Sequence, residues 1–370
     1  MPTPGAAPTF RGMIHRPASR VPDRHERRLP ALPKAPLLAA AVVAALSAAC
    51  DQPGAMGETN SLIIVMPDSI WQQVEDVTYQ VLEPTIFTTR EEKQYQVTQI
   101  DPSAPSIDEL KLFRNVIVSG PWNDLTLQPV AEAGGIDLTD LRPGRVFQVR
   151  DVWARGQIVT GVFVHADEWA RQWEQALPSV LAAIDTSYQE WVRARMFASG
   201  VDTTLATDLG ERFGFSMTVP TVYDRVAREG EDGDSLVILR NDNPDPSQLI
   251  RSVLVDWSEP VDPLTAEAAL EWRESIDDVQ YNVAQGIDTT SSRVTQFLID
   301  GRSALEVTGV WHDIRGDFPA GGPFVVWMVQ CPTRTYYIDA WLYAPNDPKY
   351  EYMLQLQDIL GSFRCVLTGA

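Results

Sequence analysis

Five consecutive apolar residues, Leu62-Ile63-Ile64-Val65-Met66, stand before Pro67 with no polar alternation. Such a run suits a strand covered on both faces. Asp68 and Ser69 then offer capping side chains, and Ile70, Trp71, Val74, Val77, Val81 and Leu82 recur at helical spacing. Residues 95–100 alternate as a strand, 107–113 suit a short helix, and Val116-Ile117-Val118 is a second buried strand ended by Gly120-Pro121. This stretch reads β-α-β-α-β. Residues 119–145 read as loop, with Gly134-Gly135 and Pro143-Gly144 as turn signals. Residues 146–153 and 158–164 form a predicted hairpin around Arg155-Gly156. A long helix follows, with Trp169, Trp173, Leu177, Val180, Ile184, Tyr188 and Trp191 on one face. Pro178 is expected to kink or split it.

Residues 198–212 are polar and lack a strong period, which sets a boundary between units at 61–200 and 205–368. In the second unit the predicted strands are 213–219, 236–240, 250–257, 294–299, 304–312, 324–331 and 336–343. Asp262-Pro263 opens a helix striped by Ala269, Trp272, Ile276, Val279 and Val283; Asp347-Pro348 opens a last one, with Met353, Leu356, Leu360 and Phe363 inward. Runs of strands with helices at particular places predict α+β architecture. The expectation is two α/β sandwich-like units, each a mainly antiparallel sheet covered by amphipathic helices.

The N-terminus follows a different logic. Seven basic residues from Arg11 to Lys34 precede an uncharged run of 13 residues, 37–49, ending Leu46-Ser47-Ala48-Ala49-Cys50. A basic region, a short apolar run and small residues before a cut describe an export signal. The run is short of the roughly 20 residues a membrane-crossing helix needs. A cysteine at the cut resembles a bacterial lipoprotein signal, so 1–49 is expected to be removed and Cys50 lipidated. Ser47 stands where such signals usually carry Leu, and Met1 and Met13 both remain candidate starts. Residues 50–60, rich in Gly, Pro and polar side chains, are expected to form a flexible tether. Asp51 resembles the inner-membrane retention signal of some bacteria, and both membranes stay open.

Charge narrows the partners. Seven of the 30 Lys+Arg and 2 of the 50 Asp+Glu lie in residues 1–50. The rest carries 23 basic against 48 acidic side chains, near −25. That surface disfavours nucleic acid. The expected partners are a membrane, through Cys50, and an envelope protein. With Cys50 given to lipid, Cys331 and Cys365 remain, as a disulfide pair in an oxidising envelope or as two buried thiols.

Further along, Phe213-Gly214-Phe215-Ser216-Met217-Thr218-Val219-Pro220 resembles the opening strand of an uncharacterised bacterial lipoprotein family, domain-of-unknown-function family 4837. Glu306-Val307-Thr308-Gly309-Val310-Trp311, then Gly316-Asp317-Phe318 and Gly321-Gly322-Pro323-Phe324-Val325, are similar to that family's tryptophan strand and following turn. Leu342-Tyr343-Ala344-Pro345 with Ile359-Leu360-Gly361-Ser362-Phe363, and Asp151-Val152-Trp153-Ala154, also match. Pro319-Ala320 departs, since many members have a shorter link. The resemblance spans most of residues 60–365; it implies an envelope lipoprotein and brings no reaction. More distantly, the second unit looks like the small sandwich of the oxygen-evolving-protein and Mog type, whose members are mostly binding or assembly domains.

Catalytic constellations are thin. Beyond Cys50 the histidines are His165 and His312, far apart in sequence, so neither a metal site nor a Ser-His-Asp triad assembles from spacing. No Gly-x-Ser-x-Gly elbow or Gly-x-x-x-x-Gly-Lys loop is present. Glu229, Glu231, Asp232 and Asp234 lack the spacing of a calcium loop and read as a solvated turn. No metal and no cofactor are expected. The candidate binding turn holds Trp311, His312, Asp317, Gly321 and Gly322, as a binding lip or as a Trp packed under a hairpin. The expected role is a non-enzymatic binding or assembly module. The alternatives are a hydrolase of envelope polymers and a carrier of a small apolar ligand.

Overall fold

Leu62 and Ile64 pack toward one side of their strand, and Ile63 and Val65 toward the other, so the unbroken apolar run has two covers. The computed structural model describes residues 52–226, 236–276, 284–316 and 320–366. In chain order its first part comprises β1 (Ser61–Val65), α1 (Asp68–Leu82), β2 (Thr85–Phe87), β3 (Glu91–Lys93), β4 (Gln96–Ile100) and α2 (Ile107–Leu110). Then come β5 (Asn115–Gly120), α3 (Leu127–Ala133), β6 (Val146–Arg150), β7 (Ile158–Phe163) and α4 (Trp169–Met196). The sheet order is β4-β1-β5-β7-β6. β4, β1, β5 and β7 run parallel, and only β6 pairs antiparallel, with β7.

That corrects one part of the expectation: this first sheet is mainly parallel. Its physical reason lies in the connections, since helices crossing between successive strands return the chain in the same direction. α1 and α4 cover one face through Trp71, Val74, Trp173, Leu177 and Val180, and α3 helps cover the other through Leu127 and Val130. α3 lies in the stretch read as loop. It is short, and Asp124 Oδ1 starts it by accepting from Thr126 N and Leu127 N at 2.8 Å each. α4 is not split at Pro178. Pro178 and Glu174 are both exposed, so the carbonyl that loses its partner is on the solvent side while the opposite face packs.

Residues 52–60 are not a loose tether. Ala55 N donates to Arg155 O at 2.9 Å, Arg155 N to Pro53 O at 2.8 Å, Met56 N to Leu112 O at 2.9 Å and Arg114 N to Met56 O at 2.8 Å. Backbone groups here pair with two loop edges, and Gly57, at φ +80°, passes so close to the Phe113 ring that a Cβ would collide with it. Cys50 and Asp51 lie outside the described residues.

The second part opens with α5 (Thr203–Phe213), inside the stretch read as a polar boundary. Asp202 caps it, its side chain accepting from Leu205 N at 2.9 Å, and Gly214 ends it at φ 76°. Only Leu209 and Phe213 mark its buried face, too few for a clear period. Next come β8 (Phe215–Ser216), β9 (Asp224–Arg225), β10 (Leu236–Asn241), β11 (Ile250–Ser258) and α6 (Ala266–Ser275). The chain closes with β12 (Gln285–Ile299), β13 (Arg302–Asp313), β14 (Gly321–Gln330), β15 (Thr335–Tyr343), α7 (Tyr350–Gly361) and β16 (Arg364–Cys365). Thr265 caps α6 by accepting from Ala268 N at 3.1 Å; Val279 and Val283, expected in its stripe, lie outside the described residues.

The seven-stranded sheet, β12-β13-β14-β15-β11-β10-β9, is antiparallel throughout. Val325, Trp327 and Val329 alternate with Phe324, Val326 and Met328 between its two faces. α5 and α7 cover the first face with Leu209, Phe213, Leu356, Ile359 and Leu360; α6 covers the second with Ala269. The architecture is α+β.

α7 is shared. Leu356, Ile359 and Leu360 belong to the core of the large sheet, while Tyr350 and Leu354 pack against the core of the first one. Tyr350 stacks on Tyr188 of α4 at 5.6 Å and 6°. Gln94 Nε2 donates to both Tyr350 Oη (2.6 Å) and Asp185 (2.7 Å), and Tyr95 Oη donates to Asp185 at 2.6 Å. Lys349 Nζ, on a buried side chain, reaches the partly buried Glu92 at 2.6 Å. The described residues from Gln52 onward accordingly form one compact body.

Candidate functional site

Where the last turn of α4 meets α7 and the turn between β10 and β11, side chains leave a cavity of about 520 Å³. That volume falls in the range of small-molecule sites. Met196, Val222, Leu249 and Tyr352 supply apolar wall; Arg195, Tyr223, Asn241, Arg251, Glu351 and Gln355 supply polar wall. Arg195 projects from the helix end and lies over the Trp191 ring at 5.2 Å. Its Nη1 pairs with Glu351 Oε1 at 3.1 Å. Burial holds the Glu351 carboxyl above its ordinary range, with Arg195 and then Arg251 opposing that shift.

Arg251 comes from β11, placed by register opposite Asn241 of β10. Its Nη1 donates to Gln355 Oε1 at 3.2 Å and its Nη2 to Asn243 O at 3.1 Å, with the guanidinium 5.5 Å from the Tyr352 ring centre. Both acceptors are neutral. Arg251 Nε is buried and has no hydrogen-bond partner. The Tyr223 hydroxyl is in the same condition, in a residue 4% exposed. Burial pushes the Tyr223 phenol up to about 12, and Arg251 opposes the shift from nearby. Both atoms are buried behind the wall on residues that border the cavity, and they are exceptions to the rule that native proteins pair nearly all such groups.

The turn singled out by sequence is built differently. Trp311 is 1% exposed; its Nε1 donates to Leu342 O at 3.1 Å and its ring meets Trp341 edge-on at 5.5 Å. It is packed under the hairpin and presents no lip. His312 is exposed on the same strand. Gly321 and Gly322 serve close approach: a Cβ at Gly321 would lie 2.9 Å from Trp311 O, and one at Gly322 would run into Leu342 O. Asp317 lies outside the described residues, as do Glu229, Glu231, Asp232 and Asp234. His165 is exposed beyond β7, in the other sheet from His312. Among the described residues no group of three or more His, Cys, Asp and Glu could hold a metal. Cys331 and Cys365 are bonded, with Cα atoms 5.9 Å apart.

The cavity residues escaped sequence reading because none forms a motif. One signal was available, an arginine inside an apolar strand at Ile250-Arg251-Ser252-Val253.

Residues 202–362 match the model of a family described as a domain of unknown function, DUF4837. Over that stretch the chain is similar to the family. The DUF4837 region contains most of the cavity wall, from Val222 to Gln355, whereas Arg195 and Met196 come from α4, before it. Asp151-Val152-Trp153-Ala154 lies outside the match. No curated protein matches the chain.

Solved structures similar to part of the chain include the Ran-binding protein Mog1p of Saccharomyces cerevisiae (17% identity, 42% of this chain, 93% of that one, TM-score 0.28). The PsbP protein CyanoP of Synechocystis sp. PCC 6803 gives 13% identity over 41% of this chain and 86% of that one, TM-score 0.29. A Bacteroides thetaiotaomicron chain gives 9% identity and TM-score 0.26, with 42% of this chain covering 47% of that one, about half its length. Among the described residues no helix is long and apolar enough to cross a membrane.

Proposed function

We propose that this is a lipid-anchored protein of the bacterial cell envelope that works as a binding module, with the cavity between α4, α7 and the β10–β11 turn as its site. The observation that carries the reading is a ligand-sized space of about 520 Å³ whose wall mixes apolar side chains, Met196, Leu249 and Tyr352, with the charged Arg195, Arg251 and Glu351. The anchor rests on the basic and apolar segments before Cys50, and the Cys331–Cys365 bond supports an oxidising compartment. Because backbone pairing with the body starts at Pro53, few residues separate the lipid from the folded part. The acidic balance favours a membrane and envelope proteins as neighbours over nucleic acid.

Two arms test this. Wild-type protein should fractionate with membranes and Cys50→Ser with the soluble fraction; a variant that stays membrane-bound removes the anchor. Native mass spectrometry of protein purified from membranes should show a bound small molecule that Leu249→Trp, which fills the cavity, no longer retains. Identical ligand content in both would remove the site.

A further inference from the structure

A sheet edge leaves backbone N–H and C=O groups unpaired, and chains ordinarily shield it with a short strand, charged side chains, proline or a bulge. Three of the four outer strands in the two large sheets follow that rule. β9 is two residues long. On β4, Glu83 Oε1 accepts from Val97 N at 2.8 Å, and β6 ends after five residues on the exposed Arg150. The fourth strand differs. β12 closes the seven-stranded sheet with fifteen residues, and among the described residues no strand pairs with its outer side.

Its pairing with β13 is regular from Arg293 to Ile299, between a register shift that follows Asp288 and the turn at Asp300-Gly301. That stretch is Arg293-Val294-Thr295-Gln296-Phe297-Leu298-Ile299, with no proline, no glycine and no charge after Arg293. Val294 and Leu298 lie four positions apart and so share a face, where they are 52% and 71% exposed.

We propose that two copies of the chain join edge to edge here, β12 pairing antiparallel with β12 of the second copy about a two-fold axis at Gln296. Symmetry restricts the register. An axis normal to the sheet keeps the faces aligned, so each position lies opposite one of the same parity. Centring the ladder on Gln296 uses the whole regular stretch. Val294 of each copy then lies opposite Leu298 of the other, and the exposed apolar side chains cover one another twice. Arg293 lies opposite Ile299 of the second copy, one position from its Asp300. Unlike charges are therefore neighbours at both ends of the ladder, and no like charges face each other. This self-match selects a second copy over a strand of another protein. Seven residues a side is short of the roughly 20–30 of a stable interface, so the dimer is weak and concentration-dependent. The pairing rests on neither the cavity nor the anchor.

Cysteine cross-linking of the full-length protein in its membranes reads the register, with wild type as background because Cys331 and Cys365 are bonded to each other. Opposed residues of an antiparallel pair have Cα atoms about 4.5–5.5 Å apart, within disulfide reach. Gln296→Cys should give a covalent dimer under mild oxidation. Val294→Cys alone and Leu298→Cys alone should not, since each is offset from its own copy by four positions, on the order of 13 Å. The Val294→Cys, Leu298→Cys double variant should cross-link. Sedimentation of the purified protein in detergent should show association that Gln296→Lys weakens about tenfold, by setting like charges together at the axis, without lowering the melting temperature. No dimer in Gln296→Cys, or equal cross-linking at all three single sites, would overturn the pairing. A cross-link from Gln296→Cys to a different protein would overturn the second copy as occupant, and so would association unchanged in Gln296→Lys.

Discussion

Two deep indole N–H groups in the parallel sheet's core pair with neutral hydroxyls: Trp173 Nε1 donates to Thr78 Oγ1 at 2.8 Å and Trp169 Nε1 to Ser119 Oγ at 2.9 Å. In the antiparallel sheet the comparable place holds charge. Arg273 of α6 and Asp339 of β15, 1% and 0% exposed, pair at 3.2 Å, with the guanidinium 4.1 Å from the Phe324 ring centre and its Nη2 donating to Gln285 Oε1 at 2.6 Å. The second sheet also carries a covalent tie, Cys331 to Cys365, where β16 pairs with β8 beside Phe215 and Phe363. Neutral pairs are modest in net value and tolerant of loss. A buried ion pair adds little when intact, yet is costly to break because it leaves a charge stranded. The two regions therefore bury their cores with similar apolar coverage but differ in how sharply they depend on single residues and on redox conditions.

The largest effect should come from Asp339→Ala, which removes the strand-side carboxylate of the buried pair. Chemical denaturation should show a loss of about 3–5 kcal/mol. A loss under 1 kcal/mol would place the pair among groups whose burial is immaterial. Next, the Cys331→Ser, Cys365→Ser double variant opens a loop with a sequence separation of 34. Chain entropy puts that loss at about 3–4 kcal/mol, and reductant should destabilise wild type but leave the variant unmoved. The smallest belongs to the parallel sheet: Thr78→Val should lower stability by about 1–2 kcal/mol, leaving Trp173 Nε1 buried without an acceptor. If Thr78→Val proved as costly as Asp339→Ala, the contrast between the two cores would fail.

Much of this architecture was readable in the chain. The apolar run 62–66, the Trp-lined face of α4 and the strands β10, β11, β13, β14 and β15 of the large sheet follow from periodicity, because their buried faces are long, whereas β9 is two residues and the first part of β12 has no buried face to read. Three things did not follow. Strand direction in the first sheet is set by how the crossovers pack, and a doubly covered strand has the same apolar run in either orientation. α3 and α5 are short, and they begin with single Asp side chains, Asp124 and Asp202, amid polar residues. The cavity gathers Arg195, Tyr223, Arg251 and Glu351 from four separate segments, a proximity that only the shared helix α7 creates. Trp311, by contrast, stood out in sequence for a packing reason: its strand needs a large ring beneath a glycine hairpin.

Hydrogen exchange of the full-length protein, with and without the small molecule retained on purification from membranes, tests most directly that the seam between the two sheets is the ligand site. Amide protection should rise together at the end of α4 (residues 191–199), in the β10–β11 turn (241–251) and in the first turn of α7 (350–355). Protection that changes in one sheet only, or nowhere along these three segments, would contradict it.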